Sequence, residues 1–376
     1  MNEIIKRNSA WIDQTWEKLC QKLEATAVRN RSKLPYLTEN GVYDDMRTKD
    51  VAWWTNGFFG GLMWLMFAGS GKQIFADVAK EQEAMLDDCI DHLDELHHDV
   101  GFMWHLTSGA SHALTGDNRS RTRNLLAGML LASRFTVKSD FIRAWNFEET
   151  EELSIIDTMM NLPLLYWLSK QFDDPNYTNI AMIHADMAMR DHVRPDGSVR
   201  HIVEHDPARP NSFKGVQKGQ GYSSESAWSR GCSWAVYGFA LSYMHTQKKE
   251  YLDTAKRCAD YFIEQTQKTG WLPRLDFCQP ESPLYYDSTA GAVAACGMIE
   301  IARILGGSEG DKYLTAALNI LKTMEENWCN WNVDEDSVLQ MGSESYVKGI
   351  HRHIVYGDFF FAEAVLKLKG NDFLIW

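Results

Sequence analysis

Two aspartates have the sequence context expected of acid–base groups. Asp157 stands inside a strongly apolar stretch, residues 153–167, and Asp99 follows two histidines in the segment 97–104. An ionised carboxylate is rarely buried without a partner, because its removal from water costs several kcal/mol. It is retained for helix capping, for ion pairing or for chemistry. The functional interpretation of the chain therefore depends on whether these two carboxylates meet.

Each of these aspartates also has a structural interpretation. Asp99 could cap a helix that begins at Gly101, and Asp157 could cap one with a proline in its first turn. For Asp287, ahead of an alanine-rich helix, capping is the favoured interpretation. Arg230 lies between two tryptophans in the sequence, and an arginine enclosed by aromatic rings requires an anion or a carboxylate partner.

Composition narrows the possible functions. The 376 residues carry a net charge of −13, and 45% are hydrophobic. An acidic chain repels nucleic acid and anionic membrane surfaces, so neither is an expected partner. The 14 tryptophans suit a deep core and also suit stacking against sugar rings. An anionic substrate would need local cations to overcome the overall negative field.

The termini and cysteines predict a cytoplasmic protein. The N-terminal residues lack the apolar core of a signal peptide, and no apolar run has the length of a membrane span. The seven cysteines are odd in number and include no C-x-x-C motif, which is typical of reduced thiols rather than of disulfides or a zinc site.

One structural unit recurs along the chain and predicts an all-α fold. Each unit has an apolar helix rich in small residues, a short Gly/Asp turn and an amphipathic helix. The apolar helices begin near residues 57, 101, 161, 234, 290 and 357. The amphipathic helices share a large residue followed four positions later by alanine, as in Phe75/Ala79 and Tyr251/Ala255.

The sixth unit lacks its second helix, and a helix near residues 4–27 could complete it from the other end of the chain. Six hairpins closed in this way predict an (α/α)6 barrel with the apolar helices inside and the amphipathic ones outside. No linker divides the chain, so residues 1–376 are predicted to form one domain. An open α-solenoid is the alternative. The segment 198–203 alternates like a strand and falls in the longest connection between repeats.

The segments that precede the inner helices should converge at one mouth of the barrel. Their polar and aromatic residues combine carboxylates, tryptophans and cations, a set typical of a carbohydrate site for an acidic sugar. The candidates are Trp54, His98, Asp99, Trp145, Asp157, His201, Gln220, Arg230, Ser343 and Lys348. For Trp145 and Trp234, considered alone, a place in the core is the favoured interpretation. No cofactor or metal motif is present, and His351 and His353 are more typical of a solvated loop than of a metal site.

The chain resembles the unsaturated glucuronyl hydrolases of glycoside hydrolase family 88. The matching blocks span residues 54–58, 97–102, 155–165, 228–235, 286–290 and 356–359, in family order. The resemblance implies an (α/α)6 barrel that removes the 4,5-unsaturated uronic acid from the non-reducing end of lyase-generated glycosaminoglycan fragments derived from chondroitin, hyaluronan or heparin. It implies no cofactor and no metal.

The resemblance also assigns roles. Asp157 would protonate C4 of the double bond and activate water for attack at C5, with Asp99 assisting. The sugar and its carboxylate would be held by a set of aromatic, amide and basic residues, namely Trp54, His98, Trp145, His201, Gln220, Arg230 and Trp234. Ser343 and Lys348 match a Ser-x-x-Ser-x-Lys segment that binds sulfate in some members, but Tyr346 replaces the second serine.

Two further positions depart from the family pattern, because Asn56 stands where Asp is frequent and Gly219 where His is frequent. Alternative functions on the same barrel are an unsaturated rhamnogalacturonyl hydrolase or a sugar epimerase, and the epimerase would require a histidine pair facing the ring. A third alternative is a non-enzymatic helical-repeat binding protein, in which Asp99 and Asp157 would serve only as caps.

Overall fold

The computed structural model describes residues 3–209 and 212–376. Over these residues the chain forms twelve α-helices and seven short strands. The helices are α1 Glu3–Asn30, α2 Phe58–Ser70, α3 Gln73–Met85, α4 Ala110–Thr115, α5 Asn118–Ser133, α6 Leu162–Phe172, α7 Pro175–Asp191, α8 Ser229–Thr246, α9 Lys249–Gln267, α10 Ser288–Leu305, α11 Gly307–Trp328 and α12 Val355–Leu368. The strands are β1 Thr38–Glu39, β2 Val42–Tyr43, β3 Phe135–Thr136, β4 Phe141–Ile142, β5 Leu153–Ile155, β6 Ile202–His205 and β7 Phe213–Gln217.

The helices form two concentric rings. The inner ring contains α2, a π-helix at Gly101–Gly109 that continues into α4, and then α6, α8, α10 and α12. Each inner helix contacts the next, and α12 contacts α2, so the ring is closed. The outer ring contains α3, α5, α7, α9 and α11, and α1 completes it by packing on α11 and α12. The predicted (α/α)6 barrel is confirmed, including its closure by the N-terminal helix, and the open solenoid is excluded.

Hydrophobic patterning explains which helices lie inside. In α10 every residue from Ser288 to Ile301 is buried, and the helix has a mean hydropathy of 1.4 over 18 residues. By length and composition alone α10 could cross a membrane, but 78% of it is buried inside the barrel, as expected of a core helix. In the outer helix α9, one face with Tyr251, Ala255 and Phe262 is buried against the inner ring.

Glycines permit the close approach of inner elements. A Cβ atom on Gly57 would lie 2.1 Å from the Phe102 carbonyl oxygen, and one on Gly238 would lie 2.6 Å from the Met159 Cβ. These positions exclude any side chain, because real Cβ atoms do not approach other atoms this closely. One cluster of buried apolar side chains runs from Ile12 to Trp376. The division into one domain over residues 1–376 stays a prediction.

An antiparallel sheet at the mouth of the barrel positions one of the aspartates. Strand β5 pairs with β6 through Ile155 and Ile202, and β6 pairs with β7. The predicted strand at 198–203 is thus displaced, since pairing begins at Ile202. Just beyond the pairing, the Ile156 amide donates to the His201 carbonyl at 3.1 Å. The sheet therefore brings Asp157 and His201, which follow and precede the paired residues, to the same end.

Candidate active site

A cavity of about 310 Å³ opens where the inner helices begin. Its wall is built from segments that are far apart in sequence and includes three carboxylates, two basic residues and several aromatic rings. The lining residues are Tyr36, Trp53, Trp54, His97, His98, Asp99, Trp145, Ile155, Asp157, Gln220, Arg230, Glu344, Ser345, Lys348 and Tyr356. The mouth segments therefore converge as the repeat pattern predicted, and both aspartates face one cavity.

Asp99 is held by side chains and caps no helix. Its Oδ1 accepts a hydrogen bond from Asn161 Nδ2 at 3.2 Å, and its Oδ2 lies 3.4 Å from His97 Nδ1 and 3.3 Å from His98 Nε2. The π-helix that follows receives no side-chain cap. Gly101 admits Asn161 to this position, since a Cβ there would lie 2.5 Å from the Asn161 Oδ1. The capping interpretation of Asp99 is therefore wrong.

Asp157 lies on a 3-10 turn, Ile156–Met160, between β5 and α6. Helix α6 has no side-chain cap, so the capping interpretation of Asp157 is also wrong. Its Oδ2 makes no hydrogen bond although the residue is only 9% exposed. His201 Nε2 lies 3.4 Å away, close enough for an ion pair but without hydrogen-bond geometry. Asp157 thus presents an unpartnered carboxylate oxygen, which structural carboxylates in proteins seldom do.

Hydrogen bonds join the two acid-bearing segments. His98 Nδ1 lies 2.9 Å from Thr158 Oγ1. On the other histidine, His201 Nδ1 accepts from the Gln220 amide at 3.1 Å, so its proton is on Nε2, facing Asp157. An imidazole thus faces each of the two acids.

Burial and the neighbouring Asp157 favour the protonated form of Asp99. Burial raises the pKa of Asp99 well above its usual value, the nearby Asp157 raises it further, and the Asn161 hydrogen bond partly opposes both. Burial lowers the pKa of His98 well below its usual value and that of His97 to about 4. Neither histidine is therefore charged at neutral pH, and neither neutralises the pair.

Arg230 is 1% exposed and satisfies the expectation of a carboxylate partner. Its Nη1 lies 2.5 Å from Asp287 Oδ2 and donates to the Ser343 carbonyl, while the Trp228 ring lies 4.5 Å from the guanidinium carbon. Asp287 also accepts from the Thr289 amide at 3.2 Å, so its predicted role as a cap is confirmed. The arginine lines the cavity with its charge already compensated.

Three predicted contact residues do not line the cavity, namely His201, Trp234 and Ser343. His201 lies behind Asp157, with its Nε2 3.4 Å from Asp157 Oδ2. Trp234 is fully buried in α8 and packs against Phe102 and Phe360, each 5.5 Å away between ring centroids. It is a core residue because it lies one helical turn below Arg230. Ser343 is fully buried, and its hydroxyl donates to the Tyr286 carbonyl at 2.7 Å. Its assignment as a substrate contact is corrected to that of a residue fixing the backbone beside Arg230.

The sequence candidates omitted several residues that line the cavity. Tyr36 and Trp53 precede the first repeat, and their rings pack edge to face with centroids 5.4 Å apart. Glu344 adds a third carboxylate, which accepts from the Tyr36 hydroxyl at 2.7 Å. The blocks that carried the resemblance contained Tyr356, a signal that could have identified it. Tyr36 lies outside the repeat and carries no such signal, whereas Trp53 belongs to the segment before the first inner helix, one of those predicted to converge at the mouth.

His97, His98 and Asp99 bring three possible metal ligands within 4.8 Å of one another. The two imidazole rings are stacked, with centroids 5.3 Å apart and planes 30° apart. His97 Nδ1 and His98 Nε2 both lie within 3.4 Å of Asp99 Oδ2, so the three possible ligand atoms already contact one another. The trio fits hydrogen bonding to Asp99 rather than metal coordination.

A closed (α/α)6 barrel with an acid pair in an aromatic-lined cavity defines the protein as a carbohydrate-processing enzyme. The sequence model described as Glycosyl Hydrolase Family 88 matches residues 29–369. The chain belongs to this family. The predictions of the family and of a glycoside hydrolase are confirmed, and they leave the non-enzymatic alternative without support.

Individual relatives agree with this assignment. The chain is 32% identical to an unsaturated glucuronyl hydrolase of Bacillus sp. (strain GL1) over 86% of this chain and 88% of the relative. It is 30% identical to an unsaturated chondroitin disaccharide hydrolase of Streptococcus pneumoniae over 97% and 93%. The crystal structure of unsaturated glucuronyl hydrolase from Bacillus sp. GL1 matches with a TM-score of 0.87 and 30% identity, over 95% of this chain and 97% of that one.

Proposed function

We propose that the protein is an unsaturated glucuronyl hydrolase that hydrates the C4=C5 double bond of a non-reducing-end unsaturated uronate and thereby releases the neighbouring sugar. The observation that carries the proposal is the meeting of Asp99 and Asp157 in one cavity with no lysine or arginine within 4.0 Å of either among the described residues. The activity of the relatives supports the same reaction.

Hydrogen bonding and charge distinguish the two acids, which both line the cavity. Burial and the neighbouring Asp157 favour the protonated form of Asp99, and Asn161 donates to its Oδ1. Asp157 Oδ2 accepts no hydrogen bond from the described residues, so no structural partner accounts for this carboxylate. We assign proton transfer to the substrate to Asp157, with Asp99 as the neighbouring acid that assists.

The reaction proceeds by addition of water across a vinyl ether. Asp157 donates its proton to C4, and the positive charge that develops at C5 and the ring oxygen is stabilised by the carboxylates. Water then attacks C5 and returns a proton to Asp157. The hemiketal so formed opens, and its collapse releases the neighbouring sugar. Because attack is at C5, the distance between the carboxylates does not predict retention or inversion as it does for ordinary glycosidases.

The cavity wall suits a ring-shaped anionic substrate. Trp54 and Trp145 offer apolar faces, and Gln220 offers an amide for sugar hydroxyls. Lys348, which lines the cavity, has no carboxylate within 4.0 Å in the described part of the chain, so its charge is available to an acidic group. We propose glycosaminoglycan-derived oligosaccharides of the chondroitin, hyaluronan or heparin type as substrates.

Structures of relatives support this substrate class. One is described as unsaturated glucuronyl hydrolase specific for heparin, with 28% identity and a TM-score of 0.86 over 96% of each chain. Another is an Asp-to-Asn mutant from Streptococcus agalactiae complexed with dGlcA-GalNAc6S, with 25% identity and a TM-score of 0.82.

The test follows the near-ultraviolet absorbance of the double bond in an unsaturated chondroitin or hyaluronan disaccharide. The wild type should remove the absorbance, and Asp157→Asn should reduce kcat by about 10³-fold, as expected for loss of a general acid. Glu83→Gln is the matched control, because Glu83 is equally buried but binds Ser108 and Arg123 away from the cavity. It should keep its kcat. No loss of absorbance with the wild type, or equal rates for wild type and Asp157→Asn, would contradict the proposal.

We also propose that the enzyme acts in the cytoplasm. All seven cysteines are free thiols, a state that a reducing compartment maintains. The net charge of −13 supports the expectation that nucleic acid and anionic membranes are not partners.

A further inference from the structure

A short hairpin, Glu344–Gly349, forms part of the cavity rim and is called the lip. Backbone hydrogen bonds from Glu344 to Gly349 at 2.9 Å and from Ser345 to Lys348 at 3.1 Å close it. Arg230 fixes its base, since Nη1 donates to the Ser343 carbonyl at 2.6 Å and Nη2 to the Glu344 carbonyl at 2.9 Å. The lip is thus tied to the buried floor of the site, although it lies at the surface.

The Glu344 carboxylate is held in one position. Tyr36, from the segment after α1, donates its hydroxyl to Glu344 Oε1 at 2.7 Å. A Cβ atom on Gly349 would lie 1.9 Å from Glu344 Oε2, so only glycine leaves room for the carboxylate there. Gly349 also has a φ of +62°, which favours glycine independently. Two parts of the chain more than 300 residues apart therefore orient one acid at the cavity.

This acid is unexpected where the substrate is an anion. Asp99, Asp157 and Glu344 line the cavity with Arg230 and Lys348, and the charge of Arg230 is compensated by Asp287. Lys348 is the one lining cation without an ion pair among the described residues, and it can serve the uronate. The uronate must place its C4 at Asp157, and its own carboxylate is repelled by Glu344. The sugar that follows the uronate is therefore the part of the substrate left for Glu344.

We infer that Glu344 is a specificity-determining carboxylate that selects the substrate by the charge of the sugar next to the unsaturated uronate. The inference rests on the proposed function. Glu344 accepts hydrogen bonds from hydroxyl or ammonium groups on that sugar and repels a sulfate. Activity should therefore rank amine-bearing substrates above N-acetylated ones, and N-acetylated above N-sulfated ones.

The test uses three unsaturated uronyl-glucosamine disaccharides that differ only at the amine, which is free, acetylated or sulfated. At this one position the three disaccharides carry a positive, a neutral and a negative group. They are assayed at a slightly acidic pH, where the free amine is protonated. The wild type should show kcat/KM values that fall by about tenfold at each step, the factor that about 1.4 kcal/mol supplies. Added salt should compress the series, because it screens charge and leaves steric fit unchanged.

Glu344→Gln should reduce the ratio between amine and sulfate substrates to about threefold or less, a loss of more than 1 kcal/mol of discrimination. Glu326→Gln, an exposed position on α11, changes the net charge equally and should leave the ratio intact. Should the lip fail to fold in the Gln variant, the salt response of the wild type decides alone.

The outcomes separate the two proposals. If no disaccharide loses absorbance, the proposed function is overturned and the inference with it. If the disaccharides are hydrated but kcat/KM is the same across the series, or its spread is insensitive to salt, Glu344 does not select by charge while the hydrolase activity stands.

Discussion

Opposite ends of the barrel each bury two neighbouring carboxylates, and only one end is suited to chemistry. At the mouth lie Asp99 and Asp157. Toward the far end, Glu300 on α10 and Glu363 on α12 surround the Lys367 ammonium, and all three residues are at most 3% exposed. Burial is therefore common to both pairs and cannot be what distinguishes a reactive acid from a structural one.

The two pairs of carboxylates differ in how far neighbouring groups compensate their negative charge. Glu363 Oε1 accepts from the Tyr237 hydroxyl at 2.6 Å and from the Trp376 indole at 2.8 Å, and Lys367 supplies a full positive charge. Burial raises the pKa of Glu363, and Lys367 and these donors oppose the rise. At the mouth, burial lowers the pKa values of His97 and His98, so these neighbours do not supply a positive charge to Asp99, and its pKa rises well above the usual value. An uncompensated buried acid is the more informative sign of function.

Lowering the pH should have the largest effect on the stability of the folded protein, because several histidines are buried in their neutral form. Burial lowers the pKa of His192 to about 3 and those of His105 and His205 to about 4, compared with a usual value near 6.5. Stability that depends on them is complete above the unfolded-state pKa and is lost as the pH falls below it. Each such histidine contributes about 1.4 kcal/mol per pH unit in that range.

We therefore expect the free energy of unfolding to fall by several kcal/mol between about pH 6.5 and pH 4.5, and the thermal unfolding midpoint to fall steeply with it. Differential scanning calorimetry across this range measures the effect, and added salt should change it little because the groups are buried. A midpoint that is flat down to pH 4.5 would show that the histidines take up protons within the fold.

Lys367→Met should destabilise the far end by about 3–5 kcal/mol, because it leaves two buried carboxylates without a cation. Urea unfolding measures the loss, which should shrink at low pH as the carboxylates become protonated. The control is Lys312→Met, whose exposed ion pair with Asp260 should contribute less than about 1 kcal/mol. Equal losses for both variants would mean that the far-end acids are already protonated at neutral pH, which would break the contrast between the two ends.

Asp99→Asn should have opposite effects on activity and stability. It removes the titratable carboxyl that lies beside Asp157, and kcat should fall by about 10²-fold. A carboxyl whose pKa is raised by folding lowers stability above its unfolded pKa, and an amide removes that cost, so stability should rise by about 1 kcal/mol at neutral pH. Parallel assays of turnover and urea unfolding check both signs. A loss of stability comparable to that of Lys367→Met would make Asp99 a structural acid.

Sequence periodicity predicted the barrel because it concerns how helices face one another. The apolar, small-residue helices had to be covered on both sides, and the unpaired sixth unit implied closure by α1, which packs on α11 and α12. The same reasoning predicted the convergence of Asp99 and Asp157, since both immediately precede inner elements. Periodicity could not predict the π-helix at Gly101–Gly109, at whose start the Phe102 amide donates to Asn161 Oδ1.

The repeat pattern also could not predict how deep each side chain lies along the barrel axis. Arg230 and Trp234 share a helix face four residues apart, and that spacing places one at the floor of the cavity and the other a turn deeper in the core. Glu344 and Tyr36 meet through backbone turns whose geometry depends on tertiary contacts. Their contact is invisible in the sequence because neither residue belongs to a repeat.

The narrowest prediction concerns a single hydrogen bond at the far end. Tyr237→Phe removes the hydroxyl that donates to Glu363 and should cost about 1.5–3 kcal/mol, the range for hydrogen bonds to charged groups, with kcat unchanged. The control is Tyr177→Phe, because the Tyr177 hydroxyl makes no hydrogen bond in the described part of the chain and its removal should be nearly neutral. If Tyr237→Phe left stability unchanged but lowered kcat, the two ends of the barrel would be coupled through α8, and compensation at one end could no longer be treated separately from chemistry at the other.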